Sequence, residues 1–268
     1  MEYFAYLNKL HQKYHNEYKN NRNRNPYLYK ELLPKSVNVL DDLSDIDSMV
    51  LETEDNIIIA NRGLDVKTIR DLVILKDMLI SSKQDSKYNE ILNKDREKIN
   101  KIKELYDKPI ILTGYSRGGK KSFDLGNELG LEYHAFNPAD TTTLINNIVG
   151  KTDKISNQLQ PSSEGNIYRT ALDVISIGYN GTIIPPNPDV NYFSLGNALS
   201  NHHIDHFIND ETFIQFDKKY PQLADPEISI LPSSNINFTE IDAYATCGMY
   251  KNLGIPEPLD CRILLQEI

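Results

Sequence analysis

Tryptophan is absent from this chain, and cysteine occurs only as Cys247 and Cys261. Neither cysteine has a His or Cys neighbour at metal-ligand spacing, so a zinc ribbon or disulfide framework is excluded and two free thiols in a reducing compartment are expected. No stretch approaches the roughly 18 consecutive apolar residues of a membrane span. The N-terminal "MEYFAYLNKLHQKYH" lacks the basic start and unbroken apolar run of a secretory signal, so a soluble, intracellular protein is expected. Basic charge is also scarce. Lys and Arg total 29 against 38 Asp and Glu, a net charge of -9, which leaves no broad cationic face for nucleic acid. The basic cluster Lys19 to Arg24 is short and interleaved with asparagine, and reads as a solvated helix end or loop.

What is present suits a folded globular protein. A hydrophobic fraction of 40% and a charged fraction of 25% are ordinary for a globular chain, and 268 residues can wrap a single sheet with helices. Asparagine, lysine, isoleucine and tyrosine are abundant, a bias that AT-rich codons produce without selection on function; a viral genome of that kind would allow packaging in a particle.

Phe4, Leu7, Leu10 and Tyr14 recur at helical spacing, predicting an amphipathic helix over Glu2 to Tyr18. Met49 to Thr53 and Ile57 to Ala60 flank the turn-like "EDN" and predict a β-hairpin. Helical patterns follow at Val66 to Leu79 and Tyr88 to Tyr106, the latter with Ile91, Leu92, Ile99, Ile102 and Leu105 on its inner side. Ile110 to Thr113 then reads as a buried strand, a helix carries Phe123, Leu125 and Leu129 to Gly130, and "LEYHAFNPAD" returns as a strand. Strand, helix, strand is a crossover unit of a parallel sheet, so an α/β fold is expected. Further strands are expected at Ile167 to Leu172 and Val190 to Ser194, with "GYNGTIIPPNPD" as a long loop between them.

The buried strand runs directly into Gly114-Tyr115-Ser116-Arg117-Gly118, the pattern of a nucleophile elbow. There a sharp strand-to-helix turn exposes the serine, and the helix behind it aims its first amides at a developing oxyanion. Lys120 and Lys121 raise the alternative of a phosphate loop, but the spacing fits neither a P-loop nor a dinucleotide-binding turn. The elbow's partners follow in the order acid, then histidine. Asp173 ends an apolar strand where a carboxylate orients an imidazole, and Asp189 is the alternative within a Pro-Asn loop. For the base, "NHHIDHFI" offers His202, His203 and His206, and geometry has to decide among them. Two histidines beside Asp205 invite a metal reading, which lacks a further ligand cluster, so neither metal nor cofactor is expected.

The segments "IIIANRGLD", "TIRDLVIL", "ILTGYSRGG", "AFNPA", "YRTALDVIS" and the histidine run occur in the order shown by class 3 (fungal-type) lipases, which this chain resembles from about Met49 to Ile208. The resemblance implies an α/β-hydrolase fold, a mostly parallel sheet with helices on both faces. It also implies a serine ester hydrolase with nucleophile Ser116, acid Asp173 and base His202, and an oxyanion hole from the amides of Leu64 and Arg117. Two positions depart from the family: Leu64 stands where Thr or Ser usually follows Arg-Gly, and Tyr115 where His usually precedes the serine.

The implied substrate is an acyl ester or lipid, met at a transient lipid interface if Val66 to Leu79 forms a lid. Two other classes are a catalytically degenerate hydrolase serving as an interaction module, and a peptidase or amidase. Residues 1–209 are read as the hydrolase-like domain with its N-terminal helix. Residues 210–268 are read as an extension that packs on it or binds a protein partner.

Overall fold

A run such as Ile57-Ile58-Ile59-Ala60 has no polar face to turn to water, so it must sit inside a sheet covered on both sides. The computed structural model shows how that is met, and describes residues 1–20, 27–63, 87–139, 159–171, 173, 175, 176, 178–187, 202–208 and 211–221. Among these residues seven strands lie side by side in chain order. They are β1 (Asn38–Val39), β2 (Ser48–Glu52), β3 (Ile57–Asn61), β4 (Ile110–Tyr115), β5 (Glu132–Phe136), β6 (Gly165–Thr170) and β7 (Thr182–Ile184). β2 runs antiparallel to both β1 and β3, with Glu52 opposite Ile57 beside the hairpin turn. From β3 to β7 every pairing is parallel.

Side chains alternate between the two faces of a strand, and the apolar residues divide accordingly. Met49, Leu51, Ile58, Ala60 and Ile111 face Ala5, Leu7 and Leu10 of α1 (Glu2–Asn20). Val50, Ile57, Ile59, Ile110 and Leu112 face the opposite way. There they meet Ile99 and Ile102 of α2 (Lys87–Leu105), and Phe123 and Leu125 of α3 (Arg117–Leu129). The architecture is therefore α/β, with helices on both faces of a mostly parallel sheet. Each fully buried Leu, Ile or Phe contributes roughly 1.5–3 kcal/mol, so both layers are needed to hold the sheet. Among the described residues no helix is long and apolar enough to cross a membrane.

Three details differ from the sequence reading. The stretch expected as a loop contains β7, because the β-branched run Thr182-Ile183-Ile184 finds an open edge on β6. Leu105, expected inward, is 59% exposed, since it occupies the last turn of α2 where the helix leaves the sheet. α1 buries more than an apolar stripe: His11, Lys13, His15 and Glu17 are buried as well. Lys13 pairs with Asp217 of α4 (Glu211–Lys219) at 2.5 Å, and Glu17 accepts the amides of Leu28 and Tyr29 at 2.6 and 2.9 Å. α4 adds Phe213 and Phe216 to the layer formed by α1. The expected strand at 190–194, both cysteines and residues 222–268 lie outside the described residues.

His11 gives a measurable consequence. Burial holds its imidazole well below its ordinary range, the positive neighbours Arg62, His15 and Lys121 add to the effect, and Asp47 opposes it. The unfolded chain therefore takes up this proton first as pH falls. Stability is retained above the unfolded value of ~6.5 and declines below it toward the folded value, by about 1.4 kcal/mol per pH unit for this group. Urea midpoints measured between neutral and mildly acid pH should fall less steeply in His11→Met than in wild type. His134, also lowered by burial, leaves a residual slope in both. Parallel slopes would remove His11 from the account.

Candidate active site

At the end of β4 the chain reverses into α3 through one residue, Ser116, whose φ of 56° and ψ of -121° are rare outside glycine. Such a conformation costs on the order of 1–3 kcal/mol and persists only when its surroundings enforce it. Here the Ser116 amide donates to the Phe136 carbonyl at 3.0 Å, while its own carbonyl accepts the Lys120 and Ala139 amides, each at 3.0 Å. The flanking glycines are a packing requirement. A Cβ on Gly114 would lie 2.1 Å from the Gly118 carbonyl oxygen, and one on Gly118 would lie 2.0 Å from that of Asn61.

The loops beyond β6 and before α4 bring two side chains to this serine. His202 Nε2 lies 2.8 Å from Ser116 Oγ, and His202 Nδ1 lies 2.9 Å from Asp173 Oδ2. Asp173 is fully buried and also accepts the Ser176 hydroxyl at 2.6 Å and the Ile175 amide at 3.0 Å. A carboxylate so placed is an acceptor only, so the proton on Nδ1 donates to it and Nε2 is left to accept from the serine. The three groups thus form one relay from buried carboxylate to hydroxyl.

Geometry also separates the three histidines. His203 Nδ1 accepts the Asp205 amide at 3.3 Å and caps the short 3₁₀ turn Ile204–Phe207. His206 Nδ1 accepts the Asn187 amide at 3.0 Å. Neither replaces His202 at the serine. The Tyr115 ring lies 5.3 Å from that of His202 and 6.1 Å from that of His203, a tilted contact that fills the place beside the relay. Asp189, Leu64 and the 66–79 segment lie outside the described residues.

Arg117 supplies the first amide of α3, and the leading amides of a helix have no intrahelical acceptor to occupy them. Its side chain has a second task that the sequence did not signal. Nη2 reaches Asp47 Oδ1 at 3.2 Å and the Arg62 and Gly63 carbonyls at 3.4 Å each. Asp47 in turn accepts the Arg62 amide through its carbonyl at 3.1 Å. The elbow helix is thereby tied to the end of β3 and the entry of β2. Below this tie, burial lowers the Lys121 pKa while Asp95, 2.5 Å from its ammonium, and Asp47 oppose the shift.

A small cavity of about 30 Å³ adjoins Tyr115, with Asn8, Lys9, Gln12, Lys13, Gly63 and His203 in its lining. Polar side chains surround it, yet most of the surface that it exposes is apolar, with Tyr115 and Ile204 among the lining residues. Among the described residues no three His, Cys, Asp or Glu side chains gather as a metal-ligand set. Compared with known proteins, the chain matches no family model and no curated sequence.

Proposed function

We propose that this protein is a serine hydrolase of carboxylic esters, built on an α/β-hydrolase fold and acting through a covalent acyl-enzyme. The observation that carries the reading is the continuous relay of Ser116, His202 and Asp173, at 2.8 and 2.9 Å, centred on a strained elbow serine. In the forward step Ser116 Oγ bonds to the ester carbonyl carbon as His202 Nε2 takes the hydroxyl proton, and Asp173 steadies the imidazolium. The Arg117 amide faces the charge that develops on the carbonyl oxygen, and the resemblance to class 3 lipases assigns a second donor to Leu64. Collapse breaks the bond to the alcohol, which leaves with the proton from His202. Water activated by the same imidazole then attacks the acyl carbon, releasing the acid and restoring Ser116.

An intact relay favours catalysis over a scaffold retained after activity was lost, because a degenerate site has no physical need to keep three polar groups in register. The triad alone serves esters and amides alike. Preference for esters, and for lipid esters met at an interface, rests on the class 3 resemblance.

A fluorophosphonate probe should label the wild-type protein on Ser116 and leave Ser116→Ala unlabelled. Hydrolysis of p-nitrophenyl butyrate should vanish with the label. Labelling of equal extent in both proteins would sink the proposal.

A further inference from the structure

Asn137, the residue after β5, is fully buried and is the other non-glycine residue with positive φ among those described, at 40°. Asparagine accepts this backbone geometry more readily than other side-chain-bearing residues. Its amide donates to the Tyr168 carbonyl at 2.8 Å, extending the ladder between β5 and β6 by one bond. Its side chain then reaches two elements. Oδ1 accepts the Thr170 amide at 2.7 Å, while Nδ2 lies 3.1 Å from Thr170 Oγ1 and 3.0 Å from the His202 carbonyl. The Thr170 carbonyl, in turn, accepts the Asp173 amide at 3.2 Å. The preceding residue, Phe136, holds the Ser116 amide. One carboxamide therefore sits where the strand ends that carry nucleophile and acid meet the main chain of the base.

We propose that Asn137 is a positioning residue that fixes the His202 backbone so that its imidazole spans Ser116 and Asp173. His202 comes from a loop outside the strands, so its ring has no sheet register to place it. A tie from the end of β5 supplies that register. The chemistry of the tie also matters. A carboxamide donates to the His202 carbonyl and accepts from Thr170 without adding charge. A carboxylate there would lose the donor and set a negative oxygen against the His202 carbonyl.

The inference rests on reading Ser116, His202 and Asp173 as the catalytic groups, and its test separates the two. Asn137→Asp keeps shape and loses the donor, whereas Asn137→Gly keeps the backbone conformation and loses the side chain. Both should lower kcat for p-nitrophenyl butyrate about 100-fold, the scale of an ~1 Å misplacement, with KM unchanged. In parallel, the hydrogen-bonded Nδ1 proton of His202 is observed by NMR in histidine-labelled protein and assigned by its absence from His202→Ala. It should be sharp in wild type and lost to exchange in Asn137→Asp. A folded variant with wild-type kcat, a change confined to KM, or an unaltered proton resonance would each overturn the positioning role. Should the wild type prove inactive and unlabelled by the phosphonate, the catalytic reading falls, while the resonance still decides whether Asn137 holds the imidazole. Should either variant fail to fold, the other carries the measurement.

Discussion

His202→Ala is expected to lower kcat for a short acyl ester by about 10⁶-fold, as removal of a triad base does when nucleophile and base act as one unit. Without Nε2 at 2.8 Å, nothing takes the Ser116 proton as the oxygen attacks, and nothing returns a proton to the leaving alcohol. Residual activity would come from the backbone donors and from binding alone. His203→Ala and His206→Ala should stay within about tenfold of wild type, since a lost cap costs on the order of 1 kcal/mol and neither ring bonds the serine. Steady-state kinetics on the three variants, each shown to unfold cooperatively on heating, decides the matter. If His203→Ala were the dead protein and His202→Ala the active one, the relay seen here would not be the working one.

The second large effect concerns folding. Gly118→Ala should destabilise the protein by more than about 4 kcal/mol or prevent folding altogether, because the added carbon meets backbone on every near side. It would lie 2.0 Å from the Asn61 oxygen, 2.6 Å from its carbonyl carbon and 2.8 Å from the Arg62 oxygen. No rotamer change relieves a clash with main chain, so α3 would have to leave the end of β3 and break the Arg117 tie. Gly130→Ala is the comparison. With a φ of 62° and nothing within 4 Å of its added Cβ, it should cost only about 1 kcal/mol of backbone strain. Urea denaturation of both variants tests the difference, and similar midpoints would show that the elbow yields more easily than its geometry allows.

Much of this arrangement could be read from residues because it is local. The hairpin around Asp55, the parallel strands β4 and β5 and the turn at Ser116 depend on short runs whose periodicity and glycines carry the information. Placing Asp173 at a strand end used the same kind of signal. The residues of the histidine segment left three choices open, because which imidazole reaches Ser116 depends on contacts between positions 86 apart. Asp47 and Arg117, 70 apart, and Asn137 and His202, 65 apart, left no mark for the same reason. β7 was hidden differently, since glycine and proline around Thr182 masked a strand whose pairing partner lies elsewhere in the chain. The burial of His11 and Lys13 in α1 runs against the usual preference of such side chains for water, and no periodicity announces it.

The ties between the first helix and the late segments also set a timetable. Lys9 reaches Asp205 across 196 residues of chain, and Lys13 reaches Asp217 across 204. Contacts of that separation form slowly and late, after local strands and helices have assembled. During synthesis Ser116 emerges long before His202, so the nascent chain carries the hydroxyl without the imidazole that meets it in the fold. On the proposed reading, the nucleophile gains its base only when the segment carrying His202 docks, so reactivity should begin with completion of the fold.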